Sequence, residues 1–205
     1  MQAFTRSRTA LFARCAAALC ALTLSAAALA QDVTGPRVSL KTSKGEIVVE
    51  LNQEKAPVTV ANFLKYVKTG FYNGTIFHRV IDGFMIQGGG MDEKLHGRKT
   101  MKPIKNESAN GLSNMPYTIS MAREDHPDSA TAQFFINVAE NTGLDNPGPK
   151  GDGGYTVFGK VVQGQEVVDK IAKVLVDDVR GMQNVPVVPV VIKSATVIKS
   201  AEAVK

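Results

Sequence analysis

The pattern of apolar and polar positions divides most of this chain into short segments. From residue 37 onward, apolar residues alternate with polar ones or form brief runs, which is typical of β-strands. The first two runs flank Ser43-Lys44-Gly45, which predicts a hairpin turn. The predicted strands cover residues 37–42, 46–51, 75–80, 84–87, 117–122, 134–138, 155–162 and 190–199.

Two other segments carry apolar residues at i, i+3, i+4 and i+7, the stripe of an amphipathic helix. The stripes are Val60, Phe63, Leu64 and Val67 in the first, and Val168, Ile171, Ala172 and Leu175 in the second. Pro57 and Gly70 bracket the first as start and stop signals. Two polar loops, 91–115 and 140–154, separate the elements. Seven or eight strands with two helices predict a mainly β fold, a closed antiparallel barrel whose open ends the helices cover.

The first thirty residues differ from the rest and resemble an export signal. Arg6, Arg8 and Arg14 precede an apolar stretch at 15–29 that ends in an A-x-A pattern at residues 28–30. We therefore expect a signal peptide at 1–30, cleaved after Ala30, and a single domain at 31–205 with its core at about 38–199. An uncleaved membrane anchor is the alternative, but the apolar stretch is short for a span. We expect no membrane anchor after cleavage.

Composition narrows the possible chemistry further. Both cysteines, Cys15 and Cys20, lie in the expected signal, so the mature domain has no thiol for a disulfide or a thiolate metal site. The three leader arginines account for part of the formal charge of +5, which falls to +2 without them. The remaining lysines are scattered and do not form the basic stripe of a nucleic-acid-binding protein. We expect no nucleic-acid partner.

Several catalytic arrangements can be set aside on spacing. His78, His96 and His126 are widely separated and do not form a recognised metal-binding pattern, so no metal and no cofactor are expected. A hydrolase triad of Ser129, His78 and Asp82 lacks a nucleophile elbow. The triple glycine at 88–90 lacks the surrounding motif of a phosphate-binding loop and is better explained as a turn after a strand.

The segment at 77–89 and the strand at 134–138 carry the more informative pattern. If Ile76, His78 and Val80 form the core face of their strand, Arg79 points outward. By the same alternation Met85 shares a face with Gln87, and Gln133 shares one with Phe135. An apolar surface with a few fixed polar groups suits the binding of a peptide.

At these residues the chain strongly resembles the cyclophilin family. The segments FHRVIDGFMIQGG and ATAQFFINVAEN are similar to its two principal signatures, and YTVFGKVVQGQEVVDKI is similar to a later strand and helix. The resemblance runs from about residue 38 to 199 and is greatest to the periplasmic cyclophilins of Gram-negative bacteria. It implies an eight-stranded barrel closed by two helices, with a proline pocket on its outer surface.

The resemblance also implies roles for individual residues. It places the catalytic arginine at Arg79, and it gives Arg123, in place of a usual asparagine, a position whose backbone pairs with substrate. Gly143 stands where many eukaryotic members have tryptophan, which predicts weak or no cyclosporin binding because the indole is missing. The implied substrate-binding residues are Phe84, Met85, Gln87, Arg123, Gln133, Phe135, Leu144 and Tyr155, of which Tyr155 replaces a frequent histidine.

The function implied is cis-trans isomerisation of X-Pro peptide bonds during the folding of exported proteins. The expected partners are proline-containing polypeptides, the expected location is the periplasm, and the expected state is a monomer. Two alternatives remain open at this point. One is a peptide-binding module or chaperone with the same fold but without turnover. The other is a barrel that carries a small ligand inside, which would need a roomy interior.

Overall fold

The structure is a computed structural model that describes residues 35–148 and 153–198. The predicted signal peptide at 1–30 and its cleavage point after Ala30 lie outside the described residues, as does the end of the last predicted strand at Lys199. In the part of the chain that is described, no helix is both long enough and apolar enough to cross a membrane.

The predicted closed antiparallel barrel is confirmed. Eight strands close in the order β1-β10-β3-β4-β6-β5-β7-β2, and β8 and β9 form a separate hairpin. Every predicted strand is present with its ends shifted by at most two residues. The strands are β1 (Arg37–Thr42), β2 (Gly45–Leu51), β3 (Thr75–Ile81), β4 (Met85–Gly88), β5 (Thr118–Met121), β6 (Phe134–Asn137), β7 (Val157–Gln163), β8 (Val176–Val179), β9 (Met182–Pro186) and β10 (Val190–Ile198).

Two α-helices accompany the barrel, as predicted. Helix α1 (Pro57–Lys68) begins with a proline, whose missing N–H costs nothing in the first turn. The carboxylate of Glu107 accepts hydrogen bonds from the backbone N–H groups of Val58 and Thr59, so a side chain from a distant loop caps this helix. Helix α2 (Gln165–Ala172) is shorter than its predicted stripe. Leu175 was wrongly assigned to that stripe: the helix has already ended, and the side chain is 76% exposed.

The β8–β9 hairpin is absent from the sequence-based prediction. Its two strands are joined by Arg180 and Gly181, both with positive φ, as in a two-residue hairpin turn. The strand residues 176–179 (VDDV) contain two aspartates, which strands disfavour, and this obscured the pattern. The hairpin packs beside β3.

The barrel interior is filled by aromatic side chains. The ring of Phe63, from α1, lies with its centroid 5.1 to 5.6 Å from the rings of Tyr72, Phe134 and Phe158. All four side chains are fully buried. Within the described residues, these packed rings fill the centre of the barrel, which favours a binding site on the outer surface.

A bulge in β3 corrects the predicted alternation of this strand. Its pairing with β4 shifts between Phe77 and Arg79, so His78 is the extra residue. Phe77 and Val80 consequently both belong to the central core, whereas Ile76 and His78 are buried outside it. The assignment of Ile76, His78 and Val80 to one core face was therefore wrong, although Arg79 is left partly exposed, as expected.

Candidate functional site

The outer surface of β3, β4 and β6 carries two rows of side chains. Arg79 lies opposite Gln87, which lies opposite Phe135, and these three form the first row. In the second row, Met85 lies opposite Ile81 on one side and opposite Asn137 on the other. Residues directly opposite each other have side chains on the same face. The sheet register thus brings an arginine, a glutamine and two large apolar side chains together.

Met85 and Phe135 are on the outer face, yet they are only 2% and 4% exposed. The Tyr155 ring packs against Phe135 edge to face, with the centroids 5.6 Å apart. The backbone N–H of Tyr155 donates to the carbonyl of Leu144, which ties the residue after the 140–154 loop back to that loop. Met85 and Phe135 therefore form a covered apolar floor, Tyr155 packs against its Phe135 side, and Leu144 is held beside Tyr155 through the backbone.

Phe84 lies just before β4 rather than in it. In a regular strand, neighbouring residues such as Phe84 and Met85 would point to opposite faces. The strand starts at Met85, however, so Phe84 lies outside this alternation. The carbonyl of Phe84 accepts hydrogen bonds from Val138 N–H at 3.0 Å and from Asn141 Nδ2 at 2.7 Å. These contacts anchor Phe84 to the segment that follows β6, half-buried beside the apolar floor.

Asp145 holds the loop that carries Leu144. Its carboxylate accepts hydrogen bonds from Ser113 Oγ and from both the backbone and side-chain nitrogens of Asn114. Burial alone would raise the pKa of Asp145, but these hydrogen bonds outweigh it and lower the pKa below its ordinary value. Asn114 is fully buried and also accepts from Ser120 Oγ at 2.8 Å, so the loop is fixed to the barrel wall.

The two glutamines contact each other. Gln87 Nε2 donates to Gln133 Oε1 at 3.0 Å. A Cβ at Gly90 would lie 2.7 Å from Gln133 Nε2, so the last glycine of the triple-glycine segment makes room for this side chain. Both glutamines line a small cleft of about 350 Å³. The other lining residues are Ala122, Arg123, Glu124, Ser129 and Thr131.

The side chain of Arg123 makes several contacts with the backbone and with the Tyr155 ring. Its guanidinium donates to the carbonyls of Gly153, Gly154, Glu124 and Asp125 at 2.8 to 3.3 Å. Its Cζ also lies 4.9 Å from the centroid of the Tyr155 ring, a cation–π distance. The Arg123 side chain therefore supports the segment that holds Tyr155.

Arg79 stands at the edge of the apolar floor, partly exposed. Among the described side chains, no carboxylate lies within ion-pair distance of it. The neighbouring His78 is only 6% exposed, and burial lowers the pKa of its imidazole to about 4. The charge of Arg79 adds to this shift. Near neutral pH, Arg79 therefore lies beside a neutral histidine.

Within residues 35–148 and 153–198, no group of three or more His, Cys, Asp and Glu side chains is arranged to hold a metal ion. The structure brings most of the predicted site residues into one region. Sequence reasoning missed the supporting residues Gly90, Asn114 and Asp145. They lie in polar or glycine-rich segments whose partners are distant in sequence, and only the triple glycine was a visible signal.

Comparison with known proteins gives the same family from a family model and from individual relatives. The family model described as cyclophilin type peptidyl-prolyl cis-trans isomerase matches residues 37–197. A peptidyl-prolyl cis-trans isomerase A from Dickeya dadantii is 56% identical over 81% of this chain and 86% of that protein. A peptidyl-prolyl cis-trans isomerase from Acinetobacter baylyi is 51% identical over 94% of this chain and 98% of that protein.

A solved structure shares the fold. It is a cyclophilin type peptidyl-prolyl cis-trans isomerase from Cryptosporidium parvum, determined in the presence of the dipeptide Ala-Pro. The TM-score is 0.66 at 27% identity, and the match covers 80% of this chain and 99% of that one.

Proposed function

The chain belongs to the family of cyclophilin-type peptidyl-prolyl cis-trans isomerases and catalyses that reaction, and we propose that Arg79 is the residue that stabilises its transition state. The observation that carries this proposal is the outer row of Arg79, Gln87 and Phe135. It places a guanidinium with no carboxylate partner among the described residues at the edge of a covered apolar surface.

The chemistry of the reaction explains why this arrangement is suitable. Rotation about a peptide bond costs about 18 to 20 kcal/mol because resonance gives the C–N bond double-bond character. In the twisted state the prolyl nitrogen regains a lone pair, which a hydrogen-bond donor can stabilise. A site that stabilises the twisted amide more than either planar form accelerates the rotation. Arg79 is permanently charged and carries several donors in a rigid plane, so it can supply that hydrogen bond.

The remaining residues hold the substrate. In this proposal Phe84, Met85, Phe135 and Leu144 contact the pyrrolidine ring, with Tyr155 as a wall. Gln87, Gln133 and the backbone of Arg123 bind the flanking peptide groups, so one side of the X-Pro bond is fixed while the other rotates. No covalent bond is made or broken.

The test compares turnover of an X-Pro peptide by the wild type, Arg79→Ala and Arg79→Lys. We expect Arg79→Ala to lower kcat/KM by roughly a hundredfold, the usual loss when one preorganised donor is removed. Arg79→Lys keeps the positive charge but lacks the planar set of donors of a guanidinium. Its kcat/KM should lie between those of the wild type and Arg79→Ala. Lys160→Ala removes an exposed strand cation elsewhere and serves as the control. Unchanged turnover in a folded Arg79→Ala protein would refute the role.

We also propose that the enzyme acts on exported proteins in the periplasm. The support is the leader sequence, in which three arginines precede an apolar stretch that ends in Ala28-Leu29-Ala30. Expression of the full chain in a Gram-negative host, followed by fractionation and mass measurement, tests this. A periplasmic protein beginning at Gln31 is the expected result. A cytoplasmic protein that retains residues 1–30 would contradict it.

A further inference from the structure

A second cleft opens on the far side of Arg79, away from the cleft that the two glutamines line. It has an empty volume of about 640 Å³. We call it the hairpin cleft, because one of its walls is the tip of the β8–β9 hairpin. Its lining residues are His78, Arg79, Met91, Gly181, Met182 and Gln183.

The position of this cleft follows from how β3 is paired. Strand β10 pairs with β3 only at Thr75, Ile76 and Phe77. Beyond Phe77, β3 continues through the bulge at His78 to Arg79, and there the β8–β9 hairpin lies beside it. The cleft is therefore formed where β3 loses its β10 partner, directly at the proposed catalytic arginine.

The walls of the cleft are fixed by hydrogen bonds. The carbonyl of Met91 accepts from the backbone N–H of Ile76 at 3.0 Å, which ties this wall to β3. Arg180, in the hairpin turn, donates from Nη1 to the carbonyl of Lys94 at 3.1 Å, which ties the hairpin tip to the loop that follows Met91. A preformed cleft binds a ligand without the entropy cost of ordering its walls.

The chemistry of the lining favours an apolar side chain next to a peptide group. Met91 and Met182 are flexible and polarizable and adapt to apolar groups of varied shape. His78 adds a neutral ring near pH 7, since its pKa is about 4. Gln183 is exposed and offers an amide donor and acceptor for a peptide group. Arg79 is the one charged residue in the lining.

The two clefts lie on either side of the Arg79–Gln87 pair, since one is lined by Gln87 and the other by Arg79. A polypeptide whose proline is bound at the Arg79–Gln87 pair extends from that pair in two directions, one on each side of the proline. If one flank passes over the glutamine cleft, the other flank passes over the hairpin cleft.

We propose that the hairpin cleft binds the side chain of a residue that flanks the substrate proline on one side, and that it prefers a large apolar side chain. The inference rests on the proposed role of Arg79 as the centre of the site. It adds Met91, Met182 and Gln183 as residues that determine substrate preference.

The test uses a short X-Pro peptide and versions extended by three residues at either end, with either Leu or Ser at each added position. We measure kcat/KM by NMR exchange and take the ratio of the Leu to the Ser peptide. For extension at one end we expect a ratio of roughly five, from partial burial of a leucine side chain. Met182→Gln keeps the side-chain length and removes its apolar character, and should bring the ratio close to one. Gln183→Ala should lower kcat/KM for both extended peptides relative to the short one.

Met115→Gln is the matched control, because Met115 is an exposed methionine that does not line the cleft. The ratio should persist in this variant. A ratio near one in the wild type at both ends, or a ratio that survives Met182→Gln, would overturn the inference. Neither result touches the proposed function, which depends on the loss of short-peptide turnover in Arg79→Ala.

Discussion

Gln87 Nε2 donates to Gln133 Oε1 across 3.0 Å, and this contact orients both side-chain amides at the centre of the proposed site. Gln87 sits between Arg79 and Phe135 in the outer row, so its amide lies between the guanidinium and the apolar floor. In the proposed function, Gln87 Oε1 then serves as an acceptor and Gln133 Nε2 as a donor for a peptide group of the substrate.

We expect Gln133→Leu to lower kcat/KM for an X-Pro peptide by about three- to tenfold. The substitution removes the acceptor that orients Gln87 together with one donor, and a hydrogen bond contributes about 0.5 to 1.5 kcal/mol net. Gly90→Ala should have a smaller effect in the same direction, because the added methyl group displaces the Gln133 side chain. The exposed Gln53 provides the control variant Gln53→Ala. If Gln133→Leu turns over at the wild-type rate, the orienting role is wrong.

We expect the Arg123 side chain to be required for the position of Tyr155, the proposed wall of the proline pocket. Arg123→Ala removes the hydrogen bonds to Gly153 and Gly154 and the contact with the Tyr155 ring. We expect KM to rise and the free energy of unfolding to fall by about 1 to 2 kcal/mol, since these bonds are partly exposed to solvent. Urea titration and peptide kinetics measure the two effects.

Arg123→Lys is the informative companion variant. A lysine keeps the charge but cannot donate to several carbonyls from one plane. We expect it to recover little of the lost affinity. Full recovery by lysine would show that charge alone is required and would contradict the structural role of the guanidinium.

The eight strands of the barrel and the first helix could be predicted because each depends on a local pattern, whereas the β8–β9 hairpin was missed. The stripe of α1 and the alternation in β1 are read directly from neighbouring residues. The bulge at His78 could not be predicted, since it depends on how β3 pairs with β4. The role of Asp145 could not be predicted either, because its hydrogen-bond partners Ser113 and Asn114 are 32 and 31 residues away in sequence. Arg79 and the residues of the apolar floor could be proposed as site residues because the segments that resemble the family signatures contain them.

Gly143 offers a test of the expected poor cyclosporin binding. Among the described residues, no atom other than those of its chain neighbours lies within 4 Å of a Cβ built there, so a large side chain can be accommodated. We expect the wild type to bind cyclosporin weakly and Gly143→Trp to bind it at least roughly tenfold more tightly, because the indole adds an apolar face and a donor. Calorimetric titration measures both. Gly143→Ala, which adds no ring, should behave as the wild type; equal affinities in all three proteins would contradict the prediction.

His78 should make the stability of the protein depend on pH. Burial lowers the pKa of its imidazole from 6.5 to about 4. Between these values the unfolded chain binds a proton that the folded protein does not, so acid favours unfolding. The free energy of unfolding should therefore fall as the pH drops from 6.5 towards 4, by about 3 kcal/mol in total. Urea midpoints measured at about pH 6.5, 5.5 and 4.5 test this.

Asp82 and Asp92 do not produce the same dependence in this range. The hydrogen bond from Lys173 lowers the pKa of Asp82, and that from the His96 backbone lowers the pKa of Asp92, so both lose their contribution only below about pH 4. His78→Asn removes the titrating group from the bulge and should flatten the stability profile between about pH 6.5 and 4.5. His126→Asn, at an exposed histidine, should leave the slope as in the wild type. A slope that persists in His78→Asn would assign the pH dependence to another group.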